Sequence, residues 1–325
     1  MASARAAKGR RLALLVAALS AHAGPASAEP ELFGYSLDPS AMPDHPAPPS
    51  IPDLTHRGIW LGLEQTFASI KPKDAITGPQ DRSFAWLGRA EVETPVGSSR
   101  RFFAGLATES AYGKPPGGTD GRVLAGYPEL WGRAVWSDRT GLSYGGGLAL
   151  VVPAWRRGAS SADAAVSEGV RVVRPWDFPA FADNTFTGTP FLDARVVDGR
   201  VTMQLRQGFS FQGLVAEARI PSVNLVSRTT LFLGYQPIDE IGLGLEVWEV
   251  YFLSADLPDN QRAAFALSPS VRLLTRTFQP ALSLLVPYDR PLFDRVESYW
   301  AVRLTFGAIL DAPRAAAPVP ELTPR

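Results

Sequence analysis

The chain has 325 residues, with 32 basic and 32 acidic side chains and no cysteine. Charged residues make up 20% and hydrophobic ones 46%, which excludes a disordered tail and a nucleic-acid binder with a basic face. Disulfides, thiolate zinc sites and iron–sulfur clusters are excluded with the cysteines, and 29 glycines and 29 prolines favour many turns over long helices.

At the N-terminus, Arg5, Lys8, Arg10 and Arg11 precede an apolar run, Leu12 to Leu19, that is too short to span a bilayer. Ala26-Ser27-Ala28 then supplies a small-x-small cleavage site. Residues 1–28 are therefore expected to be a cleaved signal peptide. Its loss leaves 28 basic against 32 acidic residues, so the exported protein is mildly acidic. Residues 29–54 carry seven prolines (Pro30, Pro39, Pro43, Pro46, Pro48, Pro49, Pro52) and read as a periplasmic linker rather than as structure. Residues 311–325, with Pro313, Pro318, Pro320 and Pro324, read as a disordered tail.

Between them no convincing amphipathic helix is expected. Period-2 alternation recurs instead, bounded by Gly, Pro, Asp and Asn. Ile59, Leu61, Leu63 and Phe67 oppose Gly58, Gly62, Glu64 and Thr66. Phe84, Trp86, Ala90 and Val92 oppose Ser83, Arg89, Glu91 and Glu93; Phe102, Ala104 and Leu106 oppose Gly105, Ala107 and Glu109. Leu142, Tyr144, Leu148 and Leu150 oppose Ser143, Gly145, Gly147 and Ala149. A hairpin is expected around Asp198-Gly199 as a type I′ turn, with Leu192, Val196, Met203 and Leu205 opposite Asp193, Arg195, Gln204 and Arg206. Strand segments are predicted at 57–69, 82–94, 100–110, 124–137, 140–152, 190–197, 200–210, 213–220, 228–236, 240–253, 262–276, 278–287 and 296–310. One of these must fall, because bacterial single-chain barrels hold an even number, so about twelve strands are expected. The weak points are Pro269, Pro280 and the short 213–220 segment. At 245–252, Glu246 and Glu249 fall on opposite faces, which suggests a bulge or a rim.

Such a pattern fits a β-sandwich with a wet face or a transmembrane barrel with a polar lumen. The length of the segments, the small and charged residues on their polar faces, and the alternation of long joins (70–81, 111–123, 153–189) with short ones (95–99, 138–139) favour the barrel. Leu61, Leu148, Leu205, Val302 and Leu304 are then expected to face lipid.

The export signal, the alternating strands and the closing strand Ser298-Tyr299-Trp300-Ala301-Val302-Arg303-Leu304-Thr305-Phe306-Gly307 make the chain resemble Gram-negative outer-membrane β-barrel proteins as a class, over roughly residues 55–310. Members often end on an aromatic residue, whereas this chain runs about fifteen residues further. The resemblance implies an all-β, antiparallel, up-and-down closed barrel in the outer membrane, in contact with its lipid. It also implies a porin-like role in transport of a small solute. The alternatives are a non-conducting structural or anchoring barrel and, behind it, a soluble periplasmic β-sandwich that binds a ligand.

Gly141-Leu142-Ser143-Tyr144-Gly145 matches the G-x-S-x-G nucleophile elbow, but a Gly-rich strand follows it and the only histidines, His22, His45 and His56, lie upstream. No enzyme activity, cofactor, metal site or nucleic-acid partner is expected. Candidate function lies in a lumen charge ladder: Glu64, Arg89, Glu91, Glu93, Glu109, Arg133, Asp193, Arg195, Arg206, Glu217, Arg219, Arg272, Arg276 and Arg303, with Glu129, Glu246, Arg200 and Arg228 also assigned inward. Arginine's planar fork suits carboxylate pairing where water is scarce. The long join 153–189, with Arg171, Arg174, Trp176, Asp177 and Phe178, is expected either to fold into the mouth as a constriction, its two arginines drawing anions, or to cap the outside as a lid.

Overall fold

The computed structural model describes residues 46–48, 54, 58–72, 82–97, 101–114, 121–137, 141–155, 161–214, 224–254, 262–275, 277–288 and 296–310. The expected signal peptide (1–28) and tail (311–325) lie outside these residues.

The strands are β1 (Ile59–Pro72), β2 (Ser83–Val96), β3 (Phe102–Lys114), β4 (Arg122–Ala125), β5 (Glu129–Ser137), β6 (Leu142–Val151), β7 (Thr185–Asp198), β8 (Val201–Leu214), β9 (Asn224–Ile238), β10 (Ile241–Phe252), β11 (Ala263–Leu273), β12 (Phe278–Pro287) and β13 (Val296–Leu310). Each pairs antiparallel with its neighbours, and β1 pairs with both β2 and β13, so the sheet closes on itself. β3 gives one edge to β2 and shares the other between β5, along Phe102–Ala107, and β4, along Ser110–Gly113. β4 and β5 thus lie in line as one stave, and the barrel has twelve. The surplus segment was 213–220: Gly213 and Leu214 complete β8, and 215–220 lie outside the described residues.

Closure explains why a chain this rich in Gly and Pro holds a regular fold. Each stave pairs with both its neighbours, and only the far edge of the four-residue β4 lacks a strand partner among the described residues, so almost no backbone donor or acceptor of the wall is left facing lipid. Alternation then sorts the side chains. Leu61, Leu63, Leu148, Leu192, Val201, Leu233, Leu245, Leu282, Leu284 and Trp300 point outward and exposed, while Glu64, Glu93, Arg133, Asp193, Arg195, Gln204, Glu246 and Arg303 are buried inside. Leu205, Val302 and Leu304 share the outward parity. An apolar girdle around a polar interior is a membrane barrel and overturns the sandwich alternative.

The joins alternate around the whole barrel. Short turns close β2–β3, β5–β6, β7–β8, β9–β10 and β11–β12 at the end where β1 begins and β13 ends; the other joins are longer. At 198–201 the turn differs from expectation. Asp198 pairs with Val201, so Gly199 and Arg200 form the loop; only Gly199 has positive φ (55°), which is the type II′ signature, since type I′ needs it at both positions. Arg200 is accordingly exposed on a turn and not in the lumen. No bulge interrupts 245–252: the ladder is regular there, Glu246 faces in, and Glu249 takes the outward side.

Candidate functional site

The lumen is filled in three tiers. The long-loop end is plugged by residues 152–155 and 161–184. Contrary to expectation, this join contains an α-helix, α1 (Ser161–Val173), then a 3-10 turn (Phe178–Phe181), and β7 begins at Thr185, so 185–189 belong to the wall. The helix escaped prediction because it is short and Val-rich, with weak intrinsic propensity; packing in the lumen stabilises it instead. Val166, Val170 and Val173 stack at i, i+4 and i+7 and are buried against the wall with Ile70, Leu87, Val250 and Phe252. Asp163 in its first turn and Arg171 in its last suit the helix dipole, and Asp163 also pairs with Arg122 of β4.

Arg174 and Trp176 lock the plug to the wall. The Arg174 guanidinium is 3% exposed, pairs with Glu64 of β1 and Asp177, and donates to Thr66 Oγ1 at 3.3 Å. Trp176 stacks on Trp248 of β10 with ring centroids 4.1 Å apart and 17° between planes. Arg171 lies over the Phe178 and Phe252 rings at 5.1 and 5.5 Å. The expected anion-attracting pair is therefore corrected: both arginines hold the plug, and Arg174 is neutralised by two carboxylates.

The middle tier is the charge ladder. Arg89 reaches Glu91 at 3.0 Å, Glu109 at 2.5 Å and Glu129 at 2.8 Å. Arg206 grips Asp193 with two parallel bonds of 2.7 Å and lies 4.3 Å above the Phe191 ring. Arg303 donates to Glu246 at 2.7 Å and to Ser268 and Ser283 at 2.9 Å. Arg133 and Glu93 form a fully buried pair, with Trp131 Nε1 donating to Glu93 at 2.6 Å. The Trp131 ring lies across Gly105, where a Cβ would sit 2.0 Å from it. Between these pairs is a chamber of about 80 Å³, bounded by Arg89, Glu129, Trp131, Phe191, Arg206, Arg228 and, from the plug, Trp176 and Asp177.

The short-turn end is closed by the chain's own N-terminal segment. Pro46, Ala47, Pro48 and Leu54, expected in a periplasmic linker, are buried. Arg195 donates to Pro46 O at 3.2 Å and to Gln204 at 3.2 Å; Arg272 donates to Pro48 O at 3.3 Å and to Gln279 at 3.4 Å. Pro46 lies against Gly234 and Gly242, where an added Cβ would come within 2.9 and 3.0 Å of the proline ring. Leu54 is enclosed with Phe103 and Val135. Proline suits this seat because it buries carbonyl acceptors without bringing an N–H that needs a partner.

Of the expected ladder, Glu64, Arg89, Glu91, Glu93, Glu109, Arg133, Asp193, Arg195, Arg206, Arg272 and Arg303 meet partners in the lumen, whereas Glu217, Arg219 and Arg276 lie outside the described residues. Trp131, Phe191, Trp248 and the two prolines were missed. Trp131 and Trp248 share the parity of Arg133 and Glu246, but an apolar residue in a barrel reads as lipid-facing. Ser143 is the second residue of β6 and bonds Ser137 Oγ at 2.8 Å, so the G-x-S-x-G match opens a strand and is not a strand-to-helix elbow.

No protein-family model and no curated protein matches the chain. Among solved structures it is similar to an outer membrane channel from Pseudomonas putida F1, at 9% identity over 78% of this chain and 96% of that one, with a TM-score of 0.54. It is similar also to the KdgM porin in complex with oligogalacturonate (10% identity, 77% and 99% covered, TM-score 0.43) and to the toluene transporter TbuX of Ralstonia pickettii (10%, 78% and 90%, TM-score 0.37). The fold is that of outer-membrane β-barrels, as the sequence pattern implies, and the outer membrane is the location that this fold and its apolar girdle fit.

Proposed function

We propose that the protein is a narrow, gated outer-membrane channel for a small solute, with no enzymatic role. The observation that carries this reading is the chamber: a polar, aromatic-lined space at mid-barrel, with separate closing elements above and below it. A barrel serving only as an anchor needs no such compartment. The outward girdle seats it in lipid, and the short-turn end, carrying both strand termini, faces the periplasm. The likeness to the Pseudomonas putida channel supports the same fold with a lumen that conducts.

The ion pairs of the middle tier keep the wall from collapsing and hold the guanidinium groups in fixed positions. Passage requires the plug, the N-terminal strap that carries Pro46–Pro48 and Leu54, or both to move. The test is conductance of the refolded protein in planar bilayers, for the intact chain and for a variant lacking residues 44–54. Intact protein giving small or intermittent steps, and the shortened variant giving larger steady ones, is the expected result. If neither conducts, the filled lumen belongs to a non-conducting structural barrel.

A further inference from the structure

We infer that the chamber is a binding site for a small carboxylate carried on a flat apolar ring. This rests on the chamber being the channel's solute compartment, and it assigns the solute's chemistry.

Two donors on residues that line the chamber have no acceptor among the described residues. Arg228 of β9 lines it and, among the described residues, forms no ion pair within 4 Å and no side-chain hydrogen bond, in contrast to Arg89 and Arg206, which share its walls and are tied to carboxylates. Trp176, 2% exposed, also lines it, and its buried indole N–H has no hydrogen-bond partner among the described residues. A guanidinium and an indole N–H only donate. A buried polar group without its partner costs free energy, as the Trp176 N–H does here, and the half-buried Arg228 guanidinium on the same chamber wall is not tied to a carboxylate, so the two together mark the place of an oxygen-bearing anion. The forked guanidinium matches a carboxylate.

The remaining walls fix the rest of the solute. Trp131, Phe191 and Trp248 present ring surface to the chamber, and Thr189, Gly208 and Thr230 leave a shallow polar side. Phe191 is covered on one face by the Arg206 guanidinium, which leaves it stiff. A planar ring gains offset or edge contacts with such walls that a flexible chain does not. Glu129 and Asp177, also on the chamber wall, disfavour a second negative charge, so one carboxylate is expected and not two.

The experiment is calorimetric titration of the full-length refolded barrel in detergent with benzoate, benzyl alcohol and benzylamine, in parallel with block of its bilayer current by each. Benzoate is expected to bind saturably and about tenfold or more tightly than benzyl alcohol, with benzylamine the weakest. Arg228→Gln is expected to remove that preference while leaving benzyl alcohol unchanged. Trp176→Phe, which retains a ring and deletes the N–H, is expected to weaken benzoate about threefold; it decides the matter if the Arg228 variant does not refold. Equal affinity for benzoate and benzyl alcohol in the unaltered protein, or unchanged benzoate affinity in both variants, overturns the inference. Binding needs no current: a barrel that binds benzoate but never conducts loses the channel reading and keeps this site, and one that conducts without the preference does the reverse.

Discussion

The two ends of the lumen are closed by different physics. At the long-loop end, helix α1 and the turn after it bury Val166, Val170, Trp176 and Phe181 against inward residues from strands around the barrel. That seal is apolar packing fixed in place by one doubly paired arginine. At the short-turn end, the described residues of the Pro-rich strap touch the wall through two carbonyls, a leucine and a proline ring seated over glycines. Burial of aromatic and aliphatic surface contributes far more than arginine-to-carbonyl bonds do, so the strap is expected to release first.

The largest expected effect comes from the plug's lock. Arg174→Ala leaves Glu64 and Asp177 buried without their cation and should destabilise the protein by about 3–5 kcal/mol, read as a lower denaturation midpoint in lipid or detergent. A loss below about 1 kcal/mol would mean that the plug is held by packing alone. Trp176→Ala deletes the ring stacked on Trp248 and should cost about 3 kcal/mol and raise bilayer conductance, since the helix loses its main aromatic anchor. Unchanged conductance would place the limiting constriction at the strap.

Leu148→Arg, on the girdle, should cost about 2–4 kcal/mol of stability in lipid near mid-bilayer and leave conductance alone. Refolding in lipid indistinguishable from the unaltered chain would invert the assignment of faces. The smallest effect is expected at the strap. Because the chain has no cysteine, Ala47→Cys gives a single label site. It should be protected from a membrane-impermeant maleimide, and Arg195→Gln with Arg272→Gln should expose it at a cost of only about 1 kcal/mol per bond. Rapid labelling in the unaltered background would show that the strap is not the inner closure.

Much of the wall could be read from the sequence because a strand has only two faces. Period-2 alternation assigns Leu148 outward and Arg133 inward without knowledge of any neighbour, and an even strand number follows once the sheet must close. The same rule carried the ladder: Asp193 and Arg206 share the inward face of one hairpin, so their pairing was implied before any coordinate. What fills the barrel was not legible in this way. Val166, Val170 and Val173 make a helix only because the lumen offers a surface to pack against, and Arg174 reads as a free mouth cation until Glu64, 110 residues earlier, is brought to it. Pro46 reads as linker until Gly234 and Gly242 form its seat. Sequence alone determined the alternation, the staves and the apolar girdle, since these depend on local periodicity. Only the tertiary structure decided which segments return into the lumen and which cations they neutralise, because those contacts join residues far apart in the chain through a cavity that exists only after the barrel has closed.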